Sequence, residues 1–204
     1  MTSAFKEFLR LVTIGDADQV NWSLSANPAL ATTVADKGAT RDESTPFFFN
    51  NIAHFIYAGD TALHIAAAAF KRDIAAMLVA HGANCRARNR MGAEPVHYAA
   101  DANRWDPVAQ AETIEFLISI GADPNALDDR GVSPLHRAVR TRSLDAVRAL
   151  IDGGADPNMS NKSGSTPLRL AVHTTGRSGS GSLQAREQQA AIYRFLIEHG
   201  AKPN

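Results

Sequence analysis

Cysteine is nearly absent from this 204-residue chain: Cys85 stands alone, so no internal disulfide framework is available, and a single thiol suits a reducing compartment. Charge of one sign is not in excess either, with 21 basic residues against 21 acidic ones. Nucleic-acid binding draws on a strong basic surplus, so no nucleic-acid partner is expected. Long apolar runs are missing too. No stretch approaches the ~20 apolar residues of a membrane helix, and the opening MTSAFKEFLRLV lacks the apolar core and small-residue cleavage site of a signal peptide. A cytoplasmic protein that does not engage membranes is the expectation.

What the chain does contain is self-similarity. GDTALHIAAA begins at Gly59, GAEPVHYAAD at Gly92, GVSPLHRAVR at Gly131 and GSTPLRLAVH at Gly164. A second signature keeps step with the first: HGAN with Gly82, IGADPN with Gly121, GGADPN with Gly154 and HGAKPN with Gly200. The stretch from Gly131 to Asn158 shows the local logic. Ser133 is placed to accept from open N–H groups of a helix start, and Pro134 suits its first position. Leu135, Ala138 and Val139 follow at helical spacing, then Ala146, Val147, Leu150 and Ile151 mark a second helix ended by Gly153-Gly154. Helices this short are unstable alone, so each apolar face must be covered by a neighbouring unit.

A period near 33 residues with a T-P-L-H-x-A core resembles the ankyrin-repeat family. GADPN-type repeat ends and a compact build make the chain similar to small bacterial ankyrin-repeat proteins. The resemblance implies an all-α solenoid of stacked helix-turn-helix units with short hairpin-like turns. Four repeats are expected, at 59–91, 92–130, 131–163 and 164–204, with the last as C-terminal cap. It also implies that His64, and His97 and His136 at the same repeat position, are buried hydrogen-bonding struts, a position taken by Arg169 in the last unit. Groups separated by whole repeats do not converge on one substrate, which argues against catalysis by them.

Residues 1–58 are expected to form a helical cap. Phe5, Phe8, Leu9 and Val12, then Ala17, Val20 and Leu24, fall at helical intervals on either side of Gly15-Asp16, as in a degenerate repeat. A polar loop follows, and PFFFNNIAHFIYA from Pro46 then reads as one aromatic helix, 46–57, with Phe48, Ile52 and Phe55 as its stripe. A lid over the first full repeat is the preferred role, with a partner-binding or dimer face as the alternative. The last helix, REQQAAIYRFLIEHG, should bury Ile192, Phe195 and Leu196 and turn Glu187, Arg194 and Glu198 to water.

Two insertions interrupt the period, around DANRWDPVAQ and around TTGRSGSGSLQAR, both between the two helices of a repeat. Insertions in repeat proteins map to one face, often the binding face. The turns also differ in charge: CRARNRMG is basic and NALDDRG mixed. That gradation steers a partner of complementary charge or only solubilises the rim. In ankyrin arrays such turns and the exposed side of the first helices form the recognition surface. The resemblance therefore implies a non-catalytic protein-interaction scaffold, monomeric, with a protein as partner. The candidate contacts are Arg88, Arg90, Met91, Asp129, Arg130 and Lys162 on the turns, with Asp101, Trp105, Arg140 and Arg142 along the helix edge. The alternative is a small-anion or metabolite receptor built from the inserted loops around Trp105 and Arg177, using backbone N–H groups and arginine donors. No cofactor and no metal site are expected: His-x-x-x-His spacing, a second thiol and a G-x-S-x-G elbow are all missing.

Overall fold

Alternate short helices of this chain line up in two layers. The computed structural model describes residues 1–101, 106–172 and 183–203. The first pair is α1 (Ser3–Ile14) and α2 (Ala17–Ala26). Thr2 caps α1 by accepting from the Phe5 N–H, and Asp16 caps α2 by accepting from the Gln19 N–H at 3.0 Å. Phe5, Phe8, Leu9 and Val12 are buried on one face of α1, with Val20 and Leu24 opposite on α2. The polar segment beyond α2 is pinned to the first repeat through Gly59 N–H to Ala35 O, and to the segment just before it through Ala39 N–H to Ile56 O. Gly38 lies so close to the backbone of Tyr57 and Ala58 that no side chain fits there.

Residues 46–57 differ from expectation. The segment is not a helix but a 3-10 turn at Thr45–Phe47 followed by a hairpin of β1 (Phe48–Phe49) and β2 (His54–Phe55). Phe48 pairs with Phe55 across the strands, ring centroids 4.7 Å apart, and Phe49 pairs with His54. Consecutive phenylalanines lose rotamer freedom in a helix and fit a pleated surface better. Asn50-Asn51 supplies the reversal, and Asn51 Nδ2 ties it to Thr13 Oγ1 at 2.6 Å. The hairpin buries Phe49, Ile52 and Ile56, whereas the helical stripe required Phe48 and Phe55, which stay half-exposed.

Four helix pairs follow: α3 (Ala62–Ala68) with α4 (Arg72–Ala80), α5 (Pro95–Ala99) with α6 (Pro107–Ser119), α7 (Pro134–Thr141) with α8 (Leu144–Asp152), and α9 (Pro167–Val172) with α10 (Leu183–Glu198). The first helices stack α3 on α5 on α7 on α9, the second helices α4 on α6 on α8 on α10, and α1 continues the inner layer onto α3. Alanine makes the close approach possible: Ala66, Ala67, Ala99, Ala100, Ala138 and Ala171 are all buried between layers. In α10, Ile192 and Leu196 are buried and Phe195 half-buried, while Glu187, Arg194 and Glu198 face water.

Candidate functional site

The repeat histidines tie each unit to the next. In each of three repeats the histidine ring bridges two units. The backbone N–H groups of Thr61, Glu94 and Ser133 donate to Nδ1 of His64, His97 and His136 at 3.1, 3.1 and 3.2 Å. On the far side Nε2 meets a carbonyl of the next repeat: Ala93 at 3.1 Å, Val132 at 3.1 Å and Ser165 at 2.9 Å. A ring that accepts at Nδ1 and donates at Nε2 is the neutral Nε2–H tautomer, with both nitrogens engaged. Burial pushes all three imidazoles below the usual histidine range, His97 to about 4 with help from the Arg137 cation.

Those struts fix a row of projecting turns against the inner helices. Asn125 and Asn158 reinforce the row from the other end of each repeat. Asn125 donates to Gly154 O and accepts from Asp156 N–H, and Asn158 does the same with Gly200 O and Lys202 N–H. In the first unit Arg86 stands where these asparagines stand, and it braces by charge, with Asp123 Oδ2 3.3 Å from its guanidinium. Cys85 occupies the matching proline position and points its Sγ at Ile120 O.

Between the turns and the inner helices lies a cleft of about 200 Å³. His54 and Tyr57 close one end, Met91 and Arg130 come from the turns, and Asp101, Arg137 and Arg140 come from the helix side. Its floor holds two buried polar networks. In the first, Asp60 is fully buried; it accepts from Tyr57 N–H at 2.7 Å, Asn89 Nδ2 at 2.8 Å and the Tyr98 hydroxyl. Asn89 also donates to Tyr98 Oη, so the phenol gives its proton to the carboxylate and receives one from the amide. Burial, with the Asp60 charge beside it, pushes the Tyr98 phenol well above its ordinary range. The His54 ring rests 4.5 Å from the Tyr98 ring.

In the second network the Arg137 guanidinium sits between Asp101 at 2.6 Å and Asp128 at 3.0 Å. Burial disfavours the Asp128 carboxylate, but hydrogen bonds from Val132 N–H, Arg137 and Arg130 N–H outweigh it and hold the carboxyl below its usual range. The two acids likewise keep Arg137 charged despite its burial. A guanidinium held by one buried and one largely buried carboxylate is a rigid fixture. It sets the cleft wall.

The candidate contacts divide three ways. Met91, Asp101, Arg130 and Arg140 line the cleft together, although Asp101 is already occupied by Arg137 and Arg140. Arg88, Arg90, Asp129 and Lys162 lie on the turns and are exposed. They stitch turn to turn: Arg88 donates to Leu127 O, Lys162 Nζ donates to Asp129 O at 2.6 Å, and Arg90 donates to Ala39 O while covering the Tyr57 ring at 5.5 Å. Arg142 belongs to neither group. It caps α7 in the left-handed region, φ 61°, beside a smaller hollow shared with Gln189 and Ile192. Trp105 and Arg177 lie outside the described residues. Among the described residues no group of three histidines, cysteines or carboxylates could hold a metal, and no helix is long and apolar enough to cross a membrane.

Tyr98, Arg137, Asn89, Asp128 and Asp60 were not singled out from the sequence, yet they build the floor. A signal existed. The residue after the repeat histidine reads Ile65, Tyr98, Arg137 and Leu170, so a polar group stands on an otherwise apolar inner face in the two central repeats.

Stacked helix pairs joined by projecting turns and tied by buried histidine struts define a repeat solenoid. The comparison with known proteins specifies which one. The family described as "Ankyrin repeat" matches at residues 58–90 and 91–129, and "Ankyrin repeats (many copies)" matches at 117–171. These matches span more than half of the chain, and the chain belongs to the ankyrin-repeat family. Among curated proteins it is 38% identical over 87 residues to E3 ubiquitin-protein ligase KEG of Arabidopsis thaliana, covering 43% of this chain and 5% of that protein. It is 33% identical over 116 residues to Neurogenic locus notch homolog protein 1 of Danio rerio, covering 43% of this chain and 5% of the relative. Intracellular phospholipase A2 of Caenorhabditis elegans matches at 39% over 87 residues, 40% of this chain and 8% of its own length. The chain thus corresponds to a small part of each relative. Ankyrin repeats are in general protein-interaction modules and typically non-catalytic.

Proposed function

We propose that this protein is a non-catalytic scaffold that recognises a protein partner in the cleft between its turns and inner helices. One observation carries the reading: Arg137 and Tyr98, each fixed from below by a polar network, line the same cleft as Met91, Arg130 and Arg140. A preformed surface avoids the ordering cost that a flexible binder incurs on association. The turn residues Arg88, Arg90, Asp129 and Lys162 then act mainly by keeping neighbouring turns in register, and extend the contact outward. Residues 1–58 serve as an N-terminal cap whose hairpin contributes His54 to the cleft wall. The single cysteine supports a reducing, cytoplasmic setting for this scaffold.

The test is site-specific photo-crosslinking. A photoreactive residue at Met91 should capture a defined protein, whereas the same group at Val108, which is exposed on α6, should not. Equal capture from both positions would defeat the cleft as the recognition surface.

A further inference from the structure

The overall charge of the chain is balanced, so any preference for a charged partner must come from how charge is arranged in depth. In the cleft that arrangement is one-sided. The acids lie low: Asp60 is fully buried, Asp101 and Asp128 are 13% and 6% exposed, and all three are matched by internal donors. The bases stand high. Arg140 is 54% exposed and makes one contact, 3.3 Å to the Asp101 oxygen that Arg137 does not hold. Arg130 is exposed, and among the described residues its side chain makes no hydrogen bond or ion pair. A guanidinium carries five N–H donors, so an incoming chain meets open donors and almost no open acceptors.

We infer that the cleft takes an extended, acidic peptide segment of a partner protein, with carboxylate side chains seated on Arg130 and Arg140 and an apolar or aromatic side chain against Tyr57 and His54. This rests on the cleft being the binding surface. Arg130 lies in the turn four residues before α7 and Arg140 near the C-terminal end of that helix, so the two side chains line the cleft from separate elements. Two such seats suit two carboxylates of one chain. An extended chain, rising about 3.3 Å per residue, offers its side chains to both in turn. Planar carboxylates also suit the fork of a guanidinium. Arg137 does not take part directly, since both of its faces are spent on Asp101 and Asp128.

A random peptide library panned on the intact chain tests this, with the selected peptides remeasured on Arg130→Glu, Arg140→Gln and Met91→Asp variants shown to melt like the parent. The expected result is enrichment of peptides rich in Asp and Glu whose affinity falls at least about tenfold in Arg130→Glu and weakens as salt rises. Enriched peptides without acidic residues, abolished by Met91→Asp, would overturn the acidic preference while leaving the cleft as the site. Peptides indifferent to all three variants, or no enrichment, would overturn both. Displacement of the peptide by single-stranded RNA as effectively as by itself would show that the rim reads any polyanion, and would also overturn the inference.

Discussion

Replacing His97 by Gln separates two contributions that a buried histidine strut makes to stability. The first is present at all pH values. His97 is fully buried, accepts from Glu94 N–H and donates to Val132 O, and stranding buried partners costs about 1–3 kcal/mol each. Above pH 7 the parent should therefore be more stable than His97→Gln by about 2–4 kcal/mol. The second contribution depends on pH. The folded protein holds the imidazole at about 4 against 6.5 when unfolded, so between these values the unfolded chain binds more protons. Stability is fully present above the unfolded value and is lost as pH falls toward the folded one. At about 1.4 kcal/mol per pH unit the loss is about 3 kcal/mol by pH 4. Burial raises the Glu94 carboxyl, which works in the opposite direction, and Asp128 is held low, which adds loss at lower pH. Those terms are common to both proteins, so the difference profile isolates His97. Urea titrations of parent and variant from pH 8 to pH 4 should show the gap narrowing and closing. A gap that stays constant across that window would refute a buried neutral imidazole at this position.

Arg137→Ala leaves Asp101 and Asp128 without their common cation and should cost about 3–5 kcal/mol, whereas Arg140→Ala, more than half exposed, should cost less than about 1 kcal/mol; denaturant midpoints that fall equally would show that the two arginines are equivalent. Gly59 and Gly121 both have positive φ, +87° and +100°, but a Cβ at Gly59 would lie 2.8 Å from Asn89 Cα while one at Gly121 meets nothing within 4 Å. Gly59→Ala should therefore lower stability by at least about 1 kcal/mol more than Gly121→Ala, and equal melting temperatures would contradict the close approach. Removing residues 188–204 strips Ile192 and Leu196 from their neighbours, and light scattering should then report aggregation; a monomer with the parent melting temperature would show that the last helix covers nothing.

Much of the fold was readable because it repeats. A histidine met once is ambiguous, but His64, His97 and His136 in register carry the family resemblance, and that resemblance implies the strut role their hydrogen bonds display. The helical face of α10 followed from Ile192 and Leu196 for the same reason: one apolar stripe on an otherwise charged segment. The hairpin at 48–55 was not readable. Phe48, Ile52 and Phe55 satisfy a helical interval, and so do Phe49, Ile52 and Ile56, whereas the hairpin is set by cross-strand pairing of Phe48 with Phe55 and by the contact of Asn51 with Thr13. At the cleft, spacing located exposed positions such as Arg130 and Arg140, since these depend on repeat register alone. It did not reveal that Asp101 is already committed to Arg137, because that pairing joins residues of adjacent repeats. Nor did it set Arg142 apart, whose left-handed backbone turns it to another hollow.

The most direct test of the binding surface is residue-resolved. Amide chemical shifts of the isotope-labelled full chain, followed as a bound peptide or captured partner segment is added, should move first around Met91, Tyr98, Arg130 and Arg140. Shifts confined to the outer helices α4, α6 and α8, with these residues unmoved at saturation, would contradict recognition through the cleft.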